Sequence, residues 1–333
     1  MTLRRVVTVT PNPALDLTYE VPGIKPGASH RVPPPFSRAG GKGLNVARVA
    51  HQLGYPVMAV VPFGGHTGDS FIAELRSSGL PHRPVAIAGE TRRSIALMDT
   101  DSGLATVFNE EGPSLQPGEW RALAAAVVDV LGVSGDLVPG VHNVDDTAGG
   151  QAGVLVGAGS LPLGAPGDFY PALVRLAHDV GVPAVVDTSG SALLDAARAG
   201  ADLLKPNHHE LREATGEDEL HRGARNLIAQ GARMVLVSAG ADGMSAFHRD
   251  SPDGYFTARL PQPLEGNPTG AGDAAVSAAA VALAAGITDP PEILRRASAW
   301  SAAAVLMPVA GEVSARLDML EEQLVITWEE DTQ

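Results

Sequence analysis

Residues 39–63 read AGGKGLNVARVAHQLGYPVMAVVPF, and their order decides the fold class. The glycine-rich turn Ala39-Gly40-Gly41-Lys42-Gly43 opens a stretch of helical spacing over Gly43–Leu53, and the run Val57–Val61 follows as a strand. The alternation continues on both sides. Val6–Val9 reads as a strand before it and Asp69–Ser78 as a helix after it. Farther on come a strand at Val154–Val156, a helix at Tyr170–Val180, and strands at Ala184–Asp187, Leu203–Lys205 and Met234–Ser238. Two alanine-rich helices then run over 273–285 and 292–306. Strands and helices in alternation predict an α/β fold, with a mostly parallel sheet covered by helices on both faces.

Two segments break the alternation. Residues 14–38 carry alternating apolar residues and then Pro33-Pro34-Pro35. Residues 91–109 hold Ser94–Met98 and Ala105–Phe108, joined by Asp99-Thr100-Asp101-Ser102-Gly103, a hairpin signal. Both suit a small strand-built accessory layer inserted into a discontinuous core of residues 1–13, 39–90 and 110–328. The stretch 132–153 is rich in Gly and Asp, has no period, and reads as an inserted surface loop. The tail Glu329–Gln333 reads as a frayed end.

A chain of 333 residues fits one large α/β domain, alone or with a smaller companion. Its 38 acidic and 24 basic residues give a net charge of −14, which argues against a nucleic-acid or anionic-membrane surface. Cysteine is absent, so disulfides, thiolate metal sites and a cysteine nucleophile are excluded. The start MTLRRVVTVTPNPAL lacks the apolar region and cleavage site of a signal peptide, and no apolar run reaches a membrane span of about 18 residues. The expectation is a cytoplasmic protein. The basic residues include only three lysines, Lys25, Lys42 and Lys205.

Three motifs can carry chemistry. In Asn267-Pro268-Thr269-Gly270-Ala271-Gly272-Asp273, small residues at a helix start let backbone N–H groups approach an anion. An aspartate there would repel a plain anion. It makes sense if it takes a proton from a hydroxyl while the N–H groups hold a transferring phosphoryl; alternatively it is an N-terminal aspartate favoured by the helix dipole. The string also fits G-x-G-x-x-A, but LPQPLEGNPT before it contains three prolines and cannot be the buried strand of a dinucleotide fold. The second motif, around Lys42, is not a Walker A loop, since Gly43 stands where Ser or Thr is needed and Phe36 where glycine is. A glycine turn opening a helix beside a lysine still suits a phosphate or polyol.

The third motif is Lys205-Pro206-Asn207-His208-His209-Glu210-Leu211. Asn207 and Glu210, three apart, could share Mg²⁺ through water, and they also fit a capping box. Zinc on His208 and His209 is disfavoured, because adjacent side chains diverge on a helix and further ligands are missing. Two turns follow strands: Gly157-Ala158-Gly159-Ser160, and Ser238-Ala239-Gly240-Ala241-Asp242-Gly243, which also reads as a hairpin turn into Met244–Phe247. Ligands of open α/β sheets bind beyond such strand ends.

In this order the motifs TPNPALD, GGKGLNVAR, KPNHHEL and GAGD resemble those of the ribokinase-like carbohydrate kinases of the PfkB family, over about residues 5–317. TPNPALD, Lys42 and Thr91-Arg92-Arg93-Ser94 look most like its 1-phosphofructokinase and tagatose-6-phosphate kinase group. The resemblance implies ATP-dependent phosphorylation of a ketohexose monophosphate, with fructose 1-phosphate the best acceptor. Tagatose 6-phosphate, fructose 6-phosphate and a non-catalytic sugar-phosphate sensor are the alternatives. It implies Asp273 as base and the N–H groups of Gly270, Ala271 and Gly272 as an anion hole. Asn207 and Glu210 would organise Mg²⁺ and the ATP phosphates with Lys205 nearby, and Ser238, Gly240 and Gly243 would line the nucleotide site. Asp16, Gly41, Lys42, Asn45, Arg92, Asn109 and Ser160 would hold the sugar phosphate. It further implies that the segments 14–38 and 91–109 form a β-sheet lid, which can join two copies into a homodimer.

Overall fold

In the computed structural model, residues 3–132 and 151–331 are described. The strands are β1 (Arg5–Val9), β2 (Ala14–Val21), β3 (Phe36–Gly40), β4 (Val57–Phe63), β5 (His82–Ala86), β6 (Arg92–Asp99), β7 (Ala105–Asn109), β8 (Ala152–Ala158), β9 (Ala184–Asp187), β10 (Leu203–Leu204), β11 (Met234–Ser238), β12 (Met244–His248), β13 (Gly254–Arg259) and β14 (Val325–Glu330). The helices are α1 (Lys42–Gln52), α2 (Gly65–Ser77), α3 (Pro117–Val130), α4 (Phe169–Asp179), α5 (Ser191–Arg198), α6 (His208–Thr215), α7 (Leu220–Gln230), α8 (Ala271–Ala284), α9 (Pro290–Val305) and α10 (Leu317–Gln323).

Ten strands form one sheet in the order β14-β13-β12-β11-β10-β9-β8-β1-β4-β5. From β11 to β5 the neighbours are parallel, and from β11 to β14 they are antiparallel. The central strands bury both faces, which is why RVVTV and AGVLVGA are nearly continuous apolar runs. Val6 packs into a core with α1, α2, α8 and α9, and Val7 into the opposite core with α3, α4, α5 and α7. Helix α8 is buried from Asp273 to Ala284. Its alanines leave room for close approach to α1 and α9.

A second sheet of four strands has the order β3-β2-β6-β7. The expected hairpin is β6 and β7, paired antiparallel from Ser94↔Asn109 to Met98↔Ala105. The tail differs from expectation. Val325–Glu330 forms edge strand β14, and Asp331 accepts a 2.6 Å bond from Arg225 Nε. Trp328 packs edge-on against Phe256, which fixes a segment that looks too polar to dock. Residues 133–150 of the expected surface loop lie outside the described residues, while Ala152 and Gly153 already belong to β8. Among the described residues no helix is long and apolar enough to cross a membrane.

Because β1, β8, β9, β10 and β11 run parallel, their C-terminal turns open on one edge of the large sheet. The small sheet attaches beside that edge, through β3 into α1.

Candidate active site

Helix α8 begins at Gly270, which caps it in the left-handed region at φ 85°. A side chain there would be strained, and its Cβ would stand 2.7 Å from that of Ala310. The Ala271 N–H turns back to the Pro268 carbonyl at 3.2 Å. The amides of Gly270, Gly272 and Asp273 have no acceptor among the described residues, as the first turn of a helix leaves them. Lys205, only 3% exposed, stands close by, since a Cβ on Gly272 would lie 3.1 Å from its Nζ.

Asp273 is 7% exposed, and its Oδ2 accepts a 2.7 Å bond from Asn45 Nδ2 on α1. Burial, then the charge of Asp187, pushes its carboxyl up to about 7, against the pull of Lys42, the Asn45 amide and Lys205. A carboxylate with that affinity for protons suits a general base at neutral pH.

Lys42, at the first position of α1, reaches Asp187 Oδ1 at 3.2 Å and Glu210 Oε1 at 3.3 Å. Burial works against its charge, but Asp187, Glu210 and Asp273 outweigh this and hold the ammonium above its ordinary range. Asn207 and Glu210 form the expected capping box: the Glu210 N–H donates to Asn207 Oδ1, and the Asn207 N–H donates to Glu210 Oε2, each at 2.9 Å. Asp187 ends β9 with 1% exposure, and its Oδ2 has no partner among the described residues. That free buried oxygen beside Glu210 fits a hard divalent cation. No group of three or more His, Asp or Glu side chains forms a metal cage among the described residues. Mg²⁺ does not need one, because phosphates and water supply most of its ligands.

These groups line one cavity of about 940 Å³. It joins Lys42, Asp187, Lys205, Asn207 and Glu210 to Gly270–Asp273, and to Ser238, Gly240 and Gly243 in the β11–β12 turn. Gly243 has φ 95°, and a Cβ there would overlap the Ala258 carbonyl.

The other expected binding residues gather on the small sheet. Register places Arg38, Asp16, Ser94 and Asn109 in one row across its four strands. Ser94 Oγ donates to Asn109 Oδ1 at 2.9 Å. Burial raises the Asp16 carboxyl to about 6, although Arg92, Arg38 and Arg48 favour its charged form. A Cβ on Gly40 would overlap Asp16 Oδ2. The Arg92 guanidinium is anchored by the carbonyl of Asn12, which accepts from Nε and Nη2 at 3.2 Å each. Asn12 Nδ2 in turn donates to Ser160 Oγ at 3.3 Å.

The expected residues fall into two groups, one lining the cavity with Asp273 and one on or beside the small sheet. Asn45 touches the carboxylate, and Lys42 faces the cavity rather than the row on the small sheet. Gly41, at φ 124°, is the N-cap of α1, close to Thr10 and Pro13. Sequence reasoning missed Asp187 and Asn12. Asp187 had one signal, an acidic residue ending an apolar strand; Asn12 lay inside a recognised motif without a role.

A buried aspartate with a raised carboxyl, unpaired helix N–H groups, two lysines and an open cavity together suit phosphoryl transfer on an α/β scaffold. The chain matches the pfkB family carbohydrate kinases over residues 10–315 and belongs to that family. It is 34% identical over 308 residues to a 1-phosphofructokinase of Xanthomonas campestris pv. campestris, covering 89% of this chain and 90% of the relative. Among solved structures, Escherichia coli phosphofructokinase-2 in complex with potassium superposes with a TM-score of 0.82 at 28% identity, over 97% of this chain and 98% of that one. A possible 1-phosphofructokinase of Thermotoga maritima shares the fold, with a TM-score of 0.82 at 21% identity over 98% of this chain and all of that one.

Proposed function

We propose that the protein transfers the γ-phosphoryl of ATP to a free hydroxyl of a ketohexose monophosphate, with fructose 1-phosphate the preferred acceptor and fructose 1,6-bisphosphate the product. The observation that carries this reading is Asp273, held by Asn45 at the start of α8 and lining the cavity beside the free helix N–H groups. In the reaction the acceptor hydroxyl gives its proton to Asp273 and its oxygen attacks the γ-phosphorus. The bond to the β-phosphate oxygen breaks, and ADP leaves. The N–H groups of Gly270 and Gly272 hold the transferring oxygens, and Lys205 offsets their charge. Asn45 orients the base. Asp187, Asn207 and Glu210 would hold Mg²⁺, which supplies charge neutralisation on the β- and γ-phosphates.

On the sugar side, Asp16 and Asn109 bond hydroxyls, while Arg92 and Ser160 receive the existing phosphate; Lys42 stays with Asp187 and Glu210 on the nucleotide side. The small sheet acts as a lid that excludes water when sugar binds. Its exposed Phe36, Val107 and Phe108 support a homodimer through this sheet, testable by light scattering.

The 34% identity to a 1-phosphofructokinase supports the acceptor assignment. The 28% identity to a phosphofructokinase-2 supports fructose 6-phosphate as the second reading. A panel of fructose 1-phosphate, fructose 6-phosphate, tagatose 6-phosphate and fructose with ATP and Mg²⁺ tests both. The highest kcat/KM on fructose 1-phosphate is expected. A higher value on fructose 6-phosphate selects the second reading, and transfer to none of them rejects the kinase.

A further inference from the structure

Strand β8 ends beside β9, and its last rung is the Gly159 N–H, which donates to the Asp187 carbonyl at 2.9 Å. The chain then turns at Gly159, whose φ of 116° favours glycine. The next residue, Ser160, accepts from Asn12 Nδ2 at 3.3 Å, and the Asn12 carbonyl in turn holds the Arg92 guanidinium. A short relay therefore runs from the Gly159 turn, at the edge of the large sheet, to Arg92 on the small one.

The Gly159 carbonyl sits at the root of this relay and accepts twice. Tyr170 Oη donates to it at 2.5 Å from the second position of α4, and Thr188 Oγ1 donates at 3.0 Å from just beyond β9. Tyr170 is fully buried and Thr188 is 3% exposed. Gly157 makes room for the phenol ring, since a Cβ there would stand 3.0 Å from Tyr170 Cε1. One donor already satisfies a buried carbonyl. A second from a different element fixes the direction in which the peptide points. Neither Tyr170 nor Thr188 lines the cavity. Asp187 has its backbone held by the β8–β9 ladder, in register with Ala158, whereas Ser160 lies past the end of that ladder.

We propose that Tyr170 and Thr188 are positioning residues for the sugar phosphate: their hydroxyls fix the Gly159 peptide and thereby set Ser160, and through it Asn12 and Arg92, against the phosphate of the acceptor. This rests on the reading of Arg92 and Ser160 as the groups that receive that phosphate, and it adds the buried pair that sets their geometry. Binding groups hold their alignment only when the residues behind them are themselves locked.

Tyr170→Phe and Thr188→Val each remove one hydroxyl at nearly constant volume. Each should raise the KM for fructose 1-phosphate by roughly 2–10-fold, the weight of one hydrogen bond, with kcat within about twofold and the KM for ATP unchanged. Thr188→Ser keeps the donor and should retain the wild-type KM. In a Ser160→Ala background Tyr170→Phe should add little, because the group it positions is gone, whereas a packing role would add its full factor again. An unchanged sugar KM in both single variants, with only Tm lowered, overturns the proposal. So does an equal rise in the KM for ATP, which would assign the pair to Asp187, a loss in Thr188→Ser as large as in Thr188→Val, or a full factor persisting in the Ser160→Ala background. If Tyr170→Phe does not fold, the two Thr188 variants carry the same test, with Thr188→Val taken into the Ser160→Ala background. Wild-type protein that transfers phosphate to no sugar phosphate fails the kinase reading itself, whereas active wild type with indifferent Tyr170 and Thr188 variants fails this inference alone.

Discussion

The two ends of the active site are built from different materials. The proposed nucleotide end is framed by backbone, with glycine turns at 240–243 and 270–272 and strand ends fixed by a ten-stranded sheet, around a few charged side chains and the capping box at 207–210. The proposed sugar end relies on side chains alone, most of them in a row on a four-stranded sheet that is exposed along β7. Backbone sites are made or lost as a unit, because a strained glycine has no intermediate substitute. Side-chain sites can be adjusted one contact at a time. Damage near α8 should therefore appear in kcat, and damage on the small sheet in the KM for the sugar phosphate.

The sharpest challenge to this division is Asp273→Asn, which should lower kcat by roughly 10²–10⁴-fold with the KM for ATP little changed. Its effect on stability has the opposite sign. The carboxyl rises from 3.8 to about 7 on folding, so between these pH values the folded chain holds more protons than the unfolded one, and stability falls as pH rises. The Asn variant should melt above the wild type at pH 8, and the gap should close toward pH 4. Next comes Arg92→Ala, expected to raise the sugar-phosphate KM by roughly 10–100-fold through loss of a charged contact, with kcat within a few-fold. If kcat fell instead, the division between the two ends would be wrong.

Smaller effects refine the comparison. The wild-type kcat/KM should fall as pH drops below about 7, when Asp273 is protonated. Asn45→Ala removes a donor that favours the carboxylate, so a pH–rate series should show that limb displaced to higher pH. Ser94→Ala, which releases Asn109 but leaves Asp16 and Arg92 in place, should change the sugar KM by only about two- to threefold, the low end for a neutral hydrogen bond.

The same contrast explains what could be read from the sequence. Features of the nucleotide end are local. Gly270–Asp273 and Asn207–Glu210 carry their turn and cap chemistry within four residues, so their positions were legible. The apolar runs of β1, β4, β8, β9 and β11 were equally clear, because strands buried on both faces need no alternation. Asp187 was read only as a strand end, since its partner Lys42 lies 145 residues away. Strands β5, β13 and β14 escaped because His82–Ala86, Gly254–Arg259 and Val325–Glu330 sit toward the sheet margins, where exposed polar residues dilute the pattern. Helix α5 is eight residues long, too short for a period to stand out, whereas equally short α6 was marked by its capping box. The row Arg38–Asp16–Ser94–Asn109 is a property of register, which no single segment encodes.

Gly40 and Asp16 are bound into each other's history. The carboxylate of Asp16 occupies the space where any side chain at position 40 would begin. A descendant of this chain can therefore lose Asp16 and afterwards acquire a larger residue at 40 freely, whereas in the reverse order the carboxylate must first leave its present rotamer. If Asp16 holds the sugar as proposed, filling position 40 would weaken that contact before the aspartate itself is lost.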